Sequence, residues 1–454
     1  MRRVVKVIRI IITIIVVVLT TLLTGCTGKE PNEIAYVVAL GIDSTDDDNY
    51  KITIQYANTT QISGGASESG GKAGSEIVDN VTIEAPNIYA GVGLANNIVS
   101  KSFSMSHAKL IVFSKEIAEK GVKDMIETLV RSEEIRPDVF IAVANTTAND
   151  YLTAVNPEME VNPAQYYQLI YQKNQLVGIP DGQLREFFTG LYTDNYDSIL
   201  PVAGVIEGAG GNSQNDDKGQ SKDSQNEGSE GSSESLDSFE SKSSNEKDEN
   251  EKEKDAEKNT SKYEYDIKNY VGGETAIEKK NKAEAIGAAV FEKDKMVGEL
   301  GEVETEICKM LKGDYTYSYL TYYNNDTPDI PITVKTTQQK KPKYKIDTDK
   351  KTVDIELYIE SDLYSLPADY NVENKIEDFE RDVANYTSSA CTEFINNFTK
   401  KYNSDILKLN EKVKYKFLTN NQYNWFKKNV GWSEYKFSVC TNFKVRRTGL
   451  IVRE

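Results

Sequence analysis

Residues 34–40 have the sequence Ile34-Ala-Tyr-Val-Val-Ala-Leu40, an apolar run without a charged residue. Such a run is typical of a strand that is buried on both faces of a sheet. The segments Gly41–Asp43 and Ser44–Asn49 predict a turn after it. Residues Tyr50–Tyr56 then alternate apolar with polar side chains, which is the pattern of a half-buried strand. We therefore expect an antiparallel hairpin here, at the start of a sheet.

Strand and helix patterns are interspersed through the rest of the first two thirds of the chain. Strands are predicted at Val81–Ile83, Lys109–Phe113, Val139–Val143, Ala285–Phe291 and Met296–Leu300. Helices are predicted at Pro86–Ser100, Ser114–Val130 with a break at Gly121, Asn162–Tyr171, Leu184–Leu191 and Thr305–Leu311. This mixture predicts an α+β fold with mixed sheets.

The last part of the chain has longer strands and the longest helix. Strands are predicted at Ile330–Val334, Tyr344–Ile346, Val353–Ile359, Lys412–Phe417 and Phe437–Val445. Between Glu373 and Tyr402, apolar residues recur every three or four positions, which places them on one face of a helix. We expect this helix to cover the strands as the spine of the last domain; binding of a partner helix is the alternative.

Residues Glu207–Lys262 form an acidic segment of low complexity. The segment contains 16 aspartates and glutamates against 8 lysines, a net charge of −8 within a chain of net charge −17. Leu236 and Phe239 are almost its only large apolar residues. Because such a segment cannot bury enough apolar surface to offset the entropy of ordering, we predict a disordered insertion. The acidic balance also argues against a nucleic-acid partner, which requires a basic surface.

The N-terminus has the three parts of a secretory signal. Its basic start is followed by the run Ile10–Leu23, 14 residues that are apolar except for threonines, and then by Thr24-Gly25-Cys26. A membrane span needs roughly 20 apolar residues, whereas the apolar part of a signal has about 7–15. The run therefore indicates a signal peptide over residues 1–25. The basic residues are Arg2, Arg3, Lys6 and Arg9.

The signal ends in Leu23-Thr-Gly-Cys26, which matches the lipobox of bacterial lipoproteins. In such proteins a peptidase cuts before the cysteine, here between Gly25 and Cys26, and the thiol of Cys26 carries diacylglycerol. Two acyl chains hold a protein stably at a membrane. We therefore expect the chain after Cys26 to lie outside the cytoplasm, tethered by its first residue. An uncleaved signal anchor with an incidental cysteine is the alternative.

Side chains suited to catalysis or metal binding are few. His107 is the only histidine, which nearly excludes a Ser-His-Asp triad or a histidine metal cluster; we expect it to pack or to form a hydrogen bond. Asp46–Asp48 lack the EF-hand spacing, and Gly70–Lys72 is followed by Ala73 rather than by the serine or threonine of a P-loop. We predict no catalytic residue, no cofactor and no metal site.

Three cysteines remain besides Cys26, namely Cys308, Cys391 and Cys440. Three thiols cannot all pair with one another, and none has the spacing of a CxxC motif. Disulfides are permitted outside the cytoplasm, while free buried thiols behave as small apolar side chains. Both states remain open at this point.

These segments together resemble the Ger(x)C family, the lipoprotein C subunits of spore germinant receptors of the GerA type. The resemblance rests on an ordered set of short motifs that covers nearly the whole chain after the signal. The acidic insertion departs from the family pattern in its length and charge. The motifs are the lipobox at Cys26, Ala39–Asp43, Ser106–Phe113, Arg131–Arg136, Gly287–Phe291, Lys295–Gly298, Asp405–Leu407, Trp425, Trp432 and Arg447–Gly449.

The resemblance implies three domains of mixed sheets packed with helices, which we place at residues 26–150, 151–325 (interrupted by 207–262) and 326–454. It implies a non-enzymatic subunit on the outer face of the spore inner membrane, required for assembly and response of the receptor. It also implies two integral-membrane partners, the A- and B-type subunits, one of which is transporter-like and binds nutrients. Cys26 is the one site residue that carries over.

Two other functions stand as alternatives. A substrate-binding lipoprotein of a transporter would show repeated β-α-β units that form two lobes around a cleft, whereas the strands here are predicted largely as hairpins. A secreted hydrolase would need a motif such as G-x-S-x-G or H-E-x-x-H, and the sequence has neither. A two-carboxylate glycosidase has no fixed spacing of its acids and stays open.

Overall fold

The computed structural model describes most of the chain outside the acidic insertion. Cys26, the segment Gly70–Lys72 and the insertion Glu207–Lys262 lie outside the described residues. The described residues are 2–22, 33–47, 49–58, 77–155, 160, 162–172, 178–193, 195–206, 269–275, 281–323, 331–365, 375–402 and 404–448.

Helices and strands alternate irregularly along the chain. The helices are α1 (Arg2–Leu22), α2 (Ile88–Ala95), α3 (Lys115–Lys120), α4 (Lys123–Val130), α5 (Ala148–Ala154), α6 (Pro163–Gln172), α7 (Leu184–Thr193), α8 (Glu302–Lys312), α9 (Ile376–Tyr402), α10 (Leu409–Val413) and α11 (Asn420–Asn429). The strands are β1 (Ile34–Ser44), β2 (Tyr50–Ala57), β3 (Val78–Ala85), β4 (Ser102–Ser104), β5 (Leu110–Ser114), β6 (Phe140–Ala144), β7 (Ile199–Val205), β8 (Ala283–Glu292), β9 (Lys295–Leu300), β10 (Tyr317–Tyr323), β11 (Pro331–Gln338), β12 (Lys343–Asp347), β13 (Thr352–Ser365) and β14 (Lys436–Arg447).

The first sheet collects nine of the described strands in the order β3-β2-β1-β5-β6-β7-β8-β9, with β4 beside β1. The neighbours β1, β5, β6 and β7 run parallel, and the outer strands pair antiparallel. Every residue of β5 is buried, and its adjacent residues Leu110 and Ile111 enter two different cores. The expectation that strands pair largely as hairpins is therefore wrong for the centre of this sheet, which is parallel and covered on both faces.

Strand β1 continues beyond the predicted strand and includes Gly41 and Asp43. Helix α5 lies so close that a Cβ atom on Gly41 would be 3.0 Å from Leu152 Cδ1. The Asp43 carboxylate accepts hydrogen bonds from the backbone N–H groups of Ala148 (2.6 Å) and Asn149 (3.0 Å). The predicted turn at residues 41–43 is wrong because these contacts with a helix about 100 residues away keep the segment extended.

The second sheet contains five of the described strands in the order β10-β11-β13-β12, and β14 pairs with β13 in parallel. Helix α9 covers one face of this sheet. Its residues Cys391, Phe394 and Ile395 are buried in one cluster with Leu357 and Phe437 of the sheet. The expectation that the long helix packs on the strands is confirmed, so its apolar face is already covered within the chain.

Helix α9 also closes the edge of β14 that faces away from β13. Four helix side chains accept hydrogen bonds from backbone N–H groups of the strand. The acceptors recur at intervals of four or eight residues on α9 and the donors at intervals of two or four on β14. The pairs are Asn396 with Phe437 (3.1 Å), Thr392 with Val439 (3.0 Å), Ser388 with Thr441 (2.9 Å) and Glu380 with Val445 (2.8 Å).

The spacing of this ladder follows from the geometry of the two elements. Four helical residues rise about 6 Å and two strand residues about 6.6 Å, so an antiparallel helix and strand stay in step. Ala384 stands at the helix position between Ser388 and Glu380 and has no side-chain acceptor. The remaining side chains give the strand edge the hydrogen bonds that another strand would otherwise supply.

The stretch Lys412–Phe417 is helical up to Lys416 and is not a strand as predicted. Val413 ends helix α10, and a 3-10 turn follows at Lys414–Lys416. The alternation of apolar residues does not reflect burial, because Val413 is fully buried while Tyr415 is 92% exposed. The mixed α+β class is confirmed, whereas the division into three domains stays a prediction.

The ladder predicts a specific loss of stability for Asn396→Ala. The Asn396 amide also donates to the Phe437 carbonyl at 3.0 Å, so truncation leaves both backbone groups without their partner. We expect the free energy of unfolding in urea to fall by about 1–3 kcal/mol. The matched control is Asn397→Ala, because Asn397 is its exposed neighbour on the same helix; its change should stay within about 0.5 kcal/mol. Equal effects of the two substitutions would contradict the ladder.

Candidate functional site

The predicted lipidation site follows helix α1. Gly25 and Cys26 lie outside the described residues, so the lipid attachment and the cleavage stay predictions. In α1, the isoleucines from Ile10 to Ile15 are between 50% and 59% exposed. In the part of the chain that the structure describes, no helix is both long and apolar enough to cross a membrane.

The single histidine packs and forms a hydrogen bond, as was predicted for it. His107 is exposed on the loop before β5. Its Nδ1 atom lies 3.1 Å from the hydroxyl of Ser106, and its ring meets the edge of Tyr36 at a centroid distance of 4.8 Å. His107 therefore packs and forms a hydrogen bond with its own neighbours.

The three cysteines after Cys26 are free thiols. Cys308 and Cys391 are both fully buried in the core beneath α9. Burial raises the pKa of Cys308 to about 11 and the pKa of Cys391 to about 12. Neither forms a reactive thiolate near neutral pH, whereas Cys440 is exposed on the outer face of β14. Across the described ranges, no group of three histidine, cysteine, aspartate or glutamate side chains could hold a metal ion.

A polar joint connects the first sheet to the loop that follows α9. The backbone N–H of Asp197 donates to the carbonyl of Asp405 at 3.1 Å, and the N–H of Asp405 donates to the Asp197 carboxylate at 2.9 Å. Lys408 forms an ion pair with Glu186 of α7 and lies over the ring of Tyr196 at 4.2 Å. Residues more than 200 positions apart are thus held together by directional bonds.

Asp405 is the buried centre of this joint. Its side chain is 4% exposed, and its two oxygens accept the backbone N–H groups of Leu409 (2.6 Å) and Asn410 (2.7 Å). These bonds start helix α10 directly after the loop. Burial raises the pKa of Asp405 to about 7, although the two backbone bonds act in the opposite direction. The carboxyl group therefore has a structural task.

A small cavity lies beside the joint and is lined by Asp181, Glu186, Asp197, Lys312 and Lys408 among others. Its volume is about 20 Å³. A cavity of that size holds about one water molecule. Burial raises the pKa of Asp181, but the space is too small for an organic substrate. The cavity thus belongs to the joint.

A larger groove lies on the surface at the family motif Arg131–Arg136. Its volume is about 420 Å³, and it is lined by Tyr89, Thr128, Arg131, Ser132, Glu133 and Glu134. Small-molecule sites are lined mostly by apolar side chains, whereas this groove is lined by one tyrosine and five polar or charged residues. Glu134 accepts the backbone N–H of Met105 at 2.6 Å, so part of the lining serves to hold the loop before β5.

The motifs that were singled out from the sequence therefore act mainly in packing and capping. Asp43 and Asp405 each accept two backbone N–H groups. Trp432 is 3% exposed and donates from its ring nitrogen to Asn410 at 3.2 Å. Trp425 differs, because it is 63% exposed on α11. Asp197 was missed, since no local pattern marks an aspartate whose partner is 208 residues away.

Comparison with known proteins identifies the family. A family model described as "Spore germination protein N-terminal domain" matches residues 28–205, and one described as "Spore germination B3/ GerAC like, C-terminal" matches residues 286–449. The chain belongs to this family of spore germination proteins, the Ger(x)C family. The two matches lie on either side of the acidic insertion.

Individual relatives are similar over part of their length. Spore germination protein KC of Bacillus subtilis is 28% identical over 160 residues, which is 32% of this chain and 39% of that protein. Spore germination protein GerQC of Bacillus cereus is 27% identical over 104 residues, which is 23% of this chain and 29% of that protein. The alignments thus span well under half of these relatives. The crystal structure of the GerBC protein aligns with 89% of this chain and 96% of its own, at 15% identity and a TM-score of 0.48.

The buried Asp405 carboxyl predicts a pH dependence of stability. Because its pKa in the folded state (about 7) lies above the ordinary value of 3.8, the folded state binds more protons than the unfolded state between these values. The free energy of unfolding should therefore fall as the pH rises from about 4 to 7. Asp405→Asn should flatten this fall, measured by urea unfolding at a series of pH values.

The control for this experiment is Asp349→Asn, because Asp349 is exposed in the turn before β13. It should leave the slope unchanged. Glu306, whose pKa burial also raises to about 7, should keep part of the slope in both variants. A slope in Asp405→Asn as steep as in the unsubstituted protein would show that Asp405 is ionised in the fold.

Proposed function

We propose that this chain is the lipid-anchored C subunit of a nutrient germinant receptor, and that it supports assembly and response of the receptor without catalysing a reaction. The observation that carries the proposal is the pair of family matches at residues 28–205 and 286–449. They follow a signal that ends in Leu23-Thr-Gly-Cys26. A germination protein and a lipoprotein signal in one chain are what such a subunit requires.

Attachment through Cys26 is supported by the residues on its N-terminal side. Helix α1 contains the apolar run, and its isoleucines are exposed. A helix of this kind suits a membrane or a signal peptidase better than a protein core. The proposed location is the outer face of the spore inner membrane, with diacylglycerol on the thiol and an acyl group on the amine of Cys26.

A non-catalytic role is supported by the placement of the reactive side chains. The one histidine is bonded to its neighbour, and two of the three described thiols are buried with raised pKa values. The buried carboxyl of Asp405 caps a helix beside a cavity of about 20 Å³. These groups serve the fold and are not arranged around a common space.

Partners and domain division are further parts of the proposal. By its likeness to C subunits, the chain would act beside two integral-membrane subunits of the A and B type. Its three domains would lie at residues 26–150, 151–325 and 326–454. We do not adopt the alternative of a substrate-binding lipoprotein. Among the described residues, the cavity at the joint holds about one water, and the larger groove is lined by one tyrosine and five polar or charged residues.

Lipidation is tested by Cys26→Ala in the native organism. Because the thiol is the attachment atom, we expect complete loss of labelling by a radioactive fatty acid and release of the protein from membranes. Cys440→Ala is the matched control, since Cys440 is an exposed free thiol; it should keep both label and membrane attachment. Membrane retention of Cys26→Ala without label would indicate an uncleaved signal anchor.

The receptor role is tested by co-purification. A C-terminal tag, gentle crosslinking of spore membranes and extraction in detergent should recover two integral-membrane proteins in comparable amounts, identified by mass spectrometry. The untagged strain is the control for nonspecific recovery. An ATP-driven permease in their place would support the substrate-binding alternative and contradict the proposal.

A further inference from the structure

Residues 412–428, called here the basic patch, carry charge opposite to that of the whole chain. The patch contains five lysines and no aspartate or glutamate, whereas the chain has a net charge of −17. It comprises the end of α10, the 3-10 turn Lys414–Lys416 and most of α11. The segment is thus positive within an acidic protein.

The basic patch also exposes large apolar side chains. Tyr415 is 92% exposed, Leu418 is 95% exposed and Trp425 is 63% exposed. Single exposed apolar residues are ordinary on protein surfaces. Three within eleven positions, among lysines, form a combination that is typical of segments lying in a membrane interface, where aromatic rings and lysine side chains both find partners.

The fold does not need these three side chains for its own packing. Leu418 holds the position before the helix cap from which an apolar residue often packs on the helix. Here Phe417 takes that place, with its ring 5.0 Å from Phe426 and 5.9 Å from Tyr423. The inward ring anchors the turn and leaves Leu418 pointing to solvent.

The base of the patch is held firmly to the rest of the protein. Lys416 donates to the carbonyl of Ile346 in β12, and Lys412 lies over the ring of Tyr344 at 4.5 Å. Lys427 donates to the carbonyl of Thr193 at 3.2 Å. Lys414 and Lys428 are exposed and make no ion pair with the residues that the structure covers. The protruding groups are therefore presented by an ordered support.

From this combination we propose that the basic patch docks on a membrane surface bearing anionic phospholipid headgroups, with Leu418, Tyr415 and Trp425 entering the interface. Charge decides the kind of partner, because Lys414 and Lys428, which make no ion pair with described residues, flank the exposed apolar side chains and match an anionic lipid surface. A protein interface of standard size needs about 800 Å² on each side and is depleted in lysine. Docking would give the protein a second membrane contact, more than 380 residues from Cys26, and so fix its orientation.

The two tryptophans provide the measurement. The full chain is reconstituted into vesicles of phosphatidylcholine alone or mixed with phosphatidylglycerol, with bromine on the acyl chains as a quencher. Trp425 should be quenched and blue-shifted in the mixed vesicles and much less in the neutral ones. Trp432, 3% exposed, should be unaffected, so Trp425→Phe should abolish the response.

Substitutions separate the contributions of charge and apolar contact. Lys414→Gln and Lys428→Gln should each lower the contact equilibrium constant about fivefold, with Lys51→Gln and Lys400→Gln as exposed controls elsewhere. Leu418→Ser should lower it at least about tenfold, whereas Leu94→Ser, at a position 48% exposed on α2, should not change it. Circular dichroism and Trp432 emission verify that each variant is folded.

The outcomes distinguish this proposal from the proposed function. The same measurement on the Cys26→Ala protein released from membranes tests the patch without the lipid, because the patch is then its one proposed membrane contact. Quenching of Trp425 in this variant supports the patch even if lipidation fails. Two results would overturn docking on anionic lipid and leave a protein partner for this surface. One is the absence of quenching in mixed vesicles, and the other is quenching that depends neither on phosphatidylglycerol nor on the lysine substitutions.

Discussion

The hydrogen bonds between α9 and the edge of β14 are the constraint on which the second half of the molecule depends. One face of the helix buries the apolar side of the sheet, and an adjoining line of side chains supplies acceptors to the strand edge. An open edge of a twelve-residue strand would otherwise offer a template for pairing with another chain. Four helical residues rise about as far as two strand residues, so one register both buries the apolar face of the helix and pairs the strand edge. Polar side chains can therefore stand within a largely buried surface at Asn396, Thr392, Ser388 and Glu380.

The polar joint then makes the two sheets one body. The Asp197 N–H donates to the Asp405 carbonyl, and the Asp405 N–H donates to the Asp197 carboxylate. Asp405 also starts the helix that leads to the basic patch. A buried carboxyl group is tolerated here because backbone donors satisfy both of its oxygens, which is the condition for burying a polar group at moderate cost. Gly41, Asp43 and Asp405, on which the resemblance to the family was based, are thus points where elements approach closely or begin, so they serve the fold.

The proposed function depends on where this body is attached. In the proposed function, a chain held at Cys26 by acyl chains would rotate freely about its tether, and a subunit beside two membrane partners would benefit from a fixed orientation. A second contact at the basic patch would supply this orientation. The packing of Phe417 on α11 and the contacts of Lys412 and Lys416 with β12 would connect the patch to the second sheet. In this proposal the protein acts by holding its surfaces in a fixed orientation at the membrane. This role suits a molecule whose titratable groups act mainly within its own fold.

The mixed fold class, the long helix and the family were predictable from the sequence, because composition, local periodicity and short ordered motifs carry them. The signal with its lipobox is predicted from the same kind of local pattern. The tertiary structure alone decided the rest. Lys412–Phe417 alternates like a strand, but the Asp405 carboxylate and the packing of Phe417 on α11 make it helical. Trp425 and Trp432 are seven residues apart and chemically identical, yet one is exposed and one buried. The joint between Asp197 and Asp405 spans 208 residues. Local sequence fixes which elements can form, whereas burial and long-range hydrogen bonds depend on which distant elements meet.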